Sequence, residues 1–125
     1  TVDYCVKNNI TLIPGLCTPG EIERALEAGI ETVKFFPANV MGGTAMLKAL
    51  SGPYPNVKFV VSGGLNAANA ADYLALKNVA ALSGSWVTPK PLIKSGDFEE
   101  IQKLAEEAAK IIAVFRSLAA ENSNT

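Results

Sequence analysis

The sequence predicts a parallel α/β fold. Three observations carry that prediction. Short apolar, β-favouring runs alternate with amphipathic helical segments; the runs are apolar at successive positions, as in strands covered on both faces; and each run leads into a segment rich in Gly, Pro or Ser. Segments that follow parallel strands gather at the carboxyl end of the sheet, where folds of this class hold their active sites.

Ile10-Thr11-Leu12-Ile13 reads as the first strand and leads into Pro14-Gly15. Thr18-Pro19-Gly20-Glu21 opens a helix, with Thr18 as N-cap, proline at the first helical position and glutamate three residues after the cap. Ile22, Ala25 and Leu26 form its apolar face, Glu23, Arg24 and Glu27 its solvated side, and Gly29 its stop. The second strand is Thr32 to Phe36, and a helix from about Gly43 to Leu50 ends at Gly52-Pro53. Lys58 to Val61 is the third strand, followed by Ser62-Gly63-Gly64 and a helix over about Ala67–Leu76 with Asn66 as cap. Ala80-Ala81-Leu82 is the fourth strand and meets Ser83-Gly84-Ser85-Trp86. The last helix opens at a capping arrangement, Asp97-Phe98-Glu99-Glu100. Phe98, Ile101, Leu104, Ala108, Ile111, Phe115 and Leu118 recur at helical spacing as a core stripe. Residues 121–125 read as a frayed polar tail of a single-domain chain.

With 125 residues, 49% hydrophobic and 18% charged, the chain has an ordinary globular composition. Eleven basic and 12 acidic side chains nearly cancel, so nucleic acid is not an expected partner. No apolar run approaches a membrane span, and the first residues lack the pattern of a signal peptide, so a cytoplasmic location is expected. The absence of a starting Met suggests a fragment or a processed chain. Cys5 and Cys17 lack metal-ligand spacing and read as reduced, buried thiols. Without histidine, Ser-His-Asp and Cys-His catalysis and the usual zinc sites are excluded; acid–base chemistry falls to Lys, Glu, Asp, Tyr or water.

The candidate chemistry begins at Lys34, inside the apolar run Thr32-Val33-Lys34-Phe35-Phe36-Pro37. An ammonium is costly to bury, and a lysine tolerated there can lose its proton and attack a carbonyl to form a Schiff base. The structural alternative is a strand-end lysine whose stem packs while its head reaches water. Two glycine-containing loops point to phosphate. Ser62-Gly63-Gly64 would let backbone amides approach an anion, and Ser83-Gly84-Ser85 repeats the chemistry after the next strand. Either loop alone is better explained by a tight turn; the two together, after the last two strands, match the usual phosphate position of (β/α) barrels. Glu21 reads as a capping residue rather than a catalytic one.

Val33-Lys34-Phe35-Phe36-Pro37-Ala38, Val61-Ser62-Gly63-Gly64 and Gly84-Ser85-Trp86 resemble the bacterial 2-dehydro-3-deoxy-6-phosphogluconate (KDPG) aldolases, also active as 4-hydroxy-2-oxoglutarate (KHG) aldolases. Leu12-Ile13-Pro14-Gly15 and Asp72-Tyr73-Leu74-Ala75-Leu76-Lys77 extend the resemblance, which runs from about Ile10 to Ala113. It implies a TIM-barrel type of fold and a metal-free class I aldolase, usually trimeric, that cleaves a phosphorylated 2-oxo sugar acid into pyruvate and glyceraldehyde 3-phosphate. Lys34 then matches the imine-forming lysine, with no cofactor beyond that covalent imine. Phe36 and Pro37 fall beside the substrate, as does Ser62, which stands where a threonine is common and whose hydroxyl can contact the substrate. Gly63, Gly64, Gly84 and Ser85 match the phosphate-binding segment, and Ser83 stands where a glycine is common.

The four βα units correspond to the second half of a (β/α)₈ barrel, a fold of about 200 residues or more. In the family it resembles, the general-base glutamate, and the arginine and threonine that hold the pyruvate carboxylate, belong to the other half; Glu21, Glu31 and Asp72 read better as a cap or solvated charges. Four strands alone leave two sheet edges and an inner wall uncovered, so association with another copy or with a complementary half-barrel is expected. Three alternatives stay open: the aldolase for the galactonate isomer, a thiamine-phosphate-synthase type of barrel that would not require Lys34, and a non-catalytic half-barrel that binds phosphate.

Overall fold

The computed structural model describes residues 1–122, without the side chains of residue 116 and residues 118–122. In chain order it holds α1 (Val2–Lys7), β1 (Gly15–Leu16), α2 (Pro19–Glu27), β2 (Thr32–Phe35), α3 (Gly43–Ser51), β3 (Lys58–Ser62), α4 (Ala67–Leu74), β4 (Val79–Ser83), a 3-10 turn (Ser85–Val87), α5 (Lys90–Ser95) and α6 (Phe98–Asn122). The strands form one parallel sheet in the order β1-β2-β3-β4, each next to its neighbour in sequence. This is the strand arrangement of a barrel segment, and the sheet is not closed.

The alternation of side chains along a strand decides which face does what. Val33 and Phe35 of β2, and Phe59 and Val61 of β3, are fully buried with Leu16, Ile22, Leu47 and Val57 on the helix-covered face. Phe35 and Phe59 meet edge to face, with ring centroids 6.2 Å apart. The intervening residues Lys34, Val60 and Ser62 turn to the opposite face, where they are only half-buried. The strands are therefore apolar on one face, and the other is open. The chain's accessible surface of 8094 Å² exceeds the roughly 6400 Å² of a compact monomer of its 13.1 kDa mass, as an uncovered sheet face and a long, mostly exposed α6 require.

Local caps hold the helices where the sequence predicts them. Glu21 Oε2 accepts from the Cys17 and Thr18 amides, at 3.0 and 2.9 Å, and from Thr18 Oγ1 at 2.8 Å. These donors hold its carboxyl below the usual range. Asn66 Oδ1 accepts from Ala68 N and Asn69 N, while Asn69 Oδ1 accepts from Asn66 N. Asp97 Oδ1 takes the Glu100 amide and starts α6.

Several expectations are corrected. The first strand is Gly15–Leu16, not Ile10–Ile13: pairing with β2 begins where Lys34 N donates to Pro14 O at 2.8 Å. Ile10 and Ile13, which gain no partner strand, are about half exposed. α1 and α5 were not expected; each is six residues long, too short for an apolar period to register. The stripe on α6 is only partly covered. Phe98 is 67% exposed, and Ile101, Leu104, Ala108, Ile111 and Phe115 are half-buried, because α6 packs chiefly on α4 and the 3-10 turn. Leu118 and the expected tail at 121–125 lie at or outside the limit of the described side chains. Cys5 is buried, Cys17 half-buried, and both are free.

Asn78 is the buried polar residue of the core, with Nδ2 donating to Leu47 O at 2.8 Å and so tying the β4 entry to α3. Asn78→Ala removes this buried tie between the β4 entry and α3. Urea unfolding is expected to show a loss of about 1–3 kcal/mol; an unchanged midpoint would mean that solvent reaches the site.

Candidate active site

The open face gathers its polar groups at the carboxyl ends of β2, β3 and β4. Lys34 pairs in register with Gly15 on one side and Val60 on the other, and Val60 with Ala81. A side chain at Gly15 would meet nothing within 4 Å, so space lies beside the lysine on that rung. Nζ stands 5.2 Å from the centroid of the Phe36 ring, two residues on and on the same face. Phe36 is itself 51% exposed and shields the amine from one direction. Among the described residues the ion pair present is Lys103–Glu100 on α6, so no carboxylate neutralises Lys34. The stem of Lys34 thus lies on a half-buried strand position, and its head makes no ion pair among the described residues.

Ser62 ends β3 one pleat period beyond Val60, about 7 Å along the strand from the Lys34 rung. It pairs in register with Ser83, which ends β4. The chain then turns through Gly63 (φ +102°) and Gly64 (φ +78°), a left-handed conformation that only glycine adopts without strain. Space gives a second reason for both. A Cβ on Gly63 would stand 2.9 Å from Pro37 Cα and 3.0 Å from Ala38 N, and one on Gly64 would stand 2.6 Å from Asn39 Nδ2. The Pro37-Ala38-Asn39 segment, which follows a cis Phe36–Pro37 peptide, therefore lies directly against the glycine turn.

That contact is hydrogen-bonded at three successive carbonyls. Ala38 N donates to Ser62 O at 2.8 Å, Asn39 N to Gly63 O at 3.1 Å, and Asn39 Nδ2 to Gly64 O at 2.8 Å. Asn69 Nδ2 from α4 also donates to Gly64 O, at 3.0 Å. Tyr73 donates its hydroxyl to Asn39 Oδ1 at 2.6 Å, and burial pushes that phenol above its ordinary pKa. Among the described residues, the amides of Gly63, Gly64 and Leu65 donate to no protein acceptor. Gly84, in extended backbone, has a different reason: a Cβ there would overlap the Trp86 ring, which packs against the core. Ser85 opens the 3-10 turn.

The sequence profile described as KDPG and KHG aldolase matches residues 1–104. The chain belongs to that family. It is 45% identical over 113 residues to the 2-dehydro-3-deoxy-phosphogluconate aldolase of Treponema pallidum, a match covering 90% of this chain and 54% of the relative. Among solved structures, it is similar to the KDPG aldolase of Legionella pneumophila, in which pyruvate was captured as a covalent carbinolamine intermediate. The TM-score is 0.80 and the identity 43%, over 82% of this chain and 50% of that one. A Zymomonas mobilis KDPG aldolase with 3-phosphoglycerate gives a TM-score of 0.78 at 32% identity, over 86% and 50%. The chain spans about half the length of the KDPG aldolases it matches, in keeping with the four-stranded segment. Family membership also sets aside the thiamine-phosphate-synthase alternative.

Within this KDPG and KHG aldolase fold, the eight residues singled out from sequence all lie at the carboxyl end of the sheet or on its open face. Lys34, Phe36 and Ser62 share the open face, and Pro37 packs on Gly63. Gly84 and Ser85 follow β4 directly. Asn39, Asn69 and Tyr73 were missed as site residues, because they belong to two elements whose contact no local pattern announces. A concavity of about 560 Å³ at the free β1 edge, between α1 and α2, is lined by Val2, Gly15, Leu16, Ala25 and others; none of the eight site residues lines it, although Gly15 pairs with Lys34. Among the described residues no cluster of His, Cys, Asp and Glu could hold a metal ion, and no helix is long and apolar enough to cross a membrane.

Gly64→Ala combines an unfavourable φ with a collision at Asn39. It is expected to cost about 2 kcal/mol or more, read by denaturant unfolding; a neutral effect would show that the turn relaxes freely.

Proposed function

We propose that this chain supplies the imine-forming and phosphate-binding half of a class I aldolase that cleaves 2-dehydro-3-deoxy-6-phosphogluconate to pyruvate and glyceraldehyde 3-phosphate, and also accepts 4-hydroxy-2-oxoglutarate. The observation that carries the reading is the placement of Lys34 on the open face, one pleat period short of Ser62 and the donor-bearing glycine turn.

The neutral Nζ of Lys34 adds to the C2 carbonyl of the substrate, and the carbinolamine loses water to give an imine. Protonated, that imine withdraws electrons. When a base removes the C4 hydroxyl proton, the C3–C4 bond breaks, its electron pair passes to the imine as an enamine, and glyceraldehyde 3-phosphate leaves. Protonation at C3 and hydrolysis release pyruvate and restore the amine. Phe36 and Pro37 wall the reacting carbons, Ser62 donates to a substrate oxygen, and the amides from Gly63 onward, with Gly84 and Ser85, receive the phosphate. No metal takes part in this scheme.

Glu21 is poorly suited to be the base, because it is committed to its three capping donors. The base and the carboxylate-holding groups come from a complementary half that covers the open face, and the assembled cytoplasmic enzyme is a trimer. The uncovered sheet face favours one second reading for these residues alone, a phosphate-binding half-barrel that does not turn over.

Borohydride reduction in the presence of pyruvate tests the assignment. A single adduct on Lys34 is expected, abolished by Lys34→Arg. Cleavage by the chain alone is expected to run about 10²–10⁴-fold below cleavage after the first half is added. A folded chain that yields no adduct overturns the aldolase reading; an adduct without restored turnover supports the non-catalytic one.

A further inference from the structure

Resting on the phosphate role proposed for the glycine turn, we infer that Asn39 is the positioning residue of that site and that Tyr73 sets its orientation. The inference follows from peptide geometry. In a trans peptide the N–H points opposite to the C=O, and the cis bond among the described residues is Phe36–Pro37. The carbonyls of Ser62, Gly63 and Gly64 are all held by the segment 38–39, through Ala38 N, Asn39 N and Asn39 Nδ2. The N–H groups sharing those peptides belong to Gly63, Gly64 and Leu65, and they must turn away from the β2 loop. None of these three amides donates to a protein acceptor among the described residues. Three consecutive donors facing one way form an anion-binding concavity.

Two of the three anchors come from backbone and would survive any side-chain change; the third is the Asn39 amide. Its nitrogen must face Gly64 O, and the Tyr73 hydroxyl at 2.6 Å from Oδ1 fixes that choice. Tyr73 is 3% exposed and donates from α4, so the packing of that helix is transmitted to the direction of the Leu65 amide. Asn69 reaches the same Gly64 carbonyl while closing the α4 cap, and Asn39 alone links all three elements.

The test uses the full chain with two probes. Inorganic phosphate is titrated while the amide resonances of Gly63, Gly64 and Leu65 are followed, and pyruvate is trapped on Lys34 with borohydride. Phosphate is expected to shift those three amides in the parent chain. Asn39→Ala is expected to weaken its binding about tenfold and Tyr73→Phe about threefold, with pyruvate trapping within twofold of the parent. Both measurements are made well below each variant's melting temperature, so a purely structural role would lower the melting temperature and leave phosphate affinity alone. Equal affinity in parent and variants overturns the inference, as does a parent chain whose turn amides ignore phosphate. A parent that traps no pyruvate counts against the aldolase reading instead. Should Asn39→Ala not fold, Tyr73→Phe decides: unchanged affinity in that variant overturns the inference.

Discussion

The two-residue period of β2 and β3 is the constraint on which the rest of the molecule depends. Phe35 and Phe59 supply the largest side chains of the covered face, and burying them under the helices leaves no freedom for their neighbours. Lys34 and Ser62 must face the other way, on adjacent strands whose register is fixed by four paired positions. A slip of one residue would put the ammonium among the phenylalanines, at a cost no local contact could offset. Hydrophobic burial on one face is thus the physical cause of the amine's place on the other.

A second level of order sits at the strand ends. The β2 loop and the β3 loop are joined through backbone and amide hydrogen bonds, and the two left-handed glycines exist where the β2 loop occupies the space of a side chain. Packing against the β2 loop and the phosphate role proposed for Gly63 and Gly64 are therefore compatible. The close approach that excludes a Cβ on one side is what turns the amides outward on the other. Gly84 differs, since its missing side chain makes room for Trp86 and its backbone is extended.

Much of this was legible in the sequence, and the reasons are specific. The helices that begin at Thr18 and Asn66 declare themselves through capping residues, and β2 and β3 through apolar runs ended by proline or glycine. Lys34 was conspicuous because an ammonium interrupts such a run. Less legible were features set by partners distant in sequence. Ile10–Ile13 has strand-forming residues but no neighbour to pair with, so the strand forms at Gly15–Leu16, where β2 is within reach. The strands look apolar on both faces because the open face also carries Val60 and Ala81, residues suited to a covered wall. Asn39 and Tyr73 lie 34 residues apart, and only the folded chain brings them together.

The alternation itself can be measured in a chain whose native Cys5 and Cys17 are replaced by alanine. Single cysteines introduced as Lys34→Cys, Val60→Cys and Ser62→Cys are expected to react quickly with a soluble thiol reagent, and Val33→Cys and Val61→Cys slowly, in step with the two-residue period. Reactivity that rises and falls without that period, or a protected Lys34→Cys beside a reactive Val33→Cys, would contradict the placement of the amine on the open face.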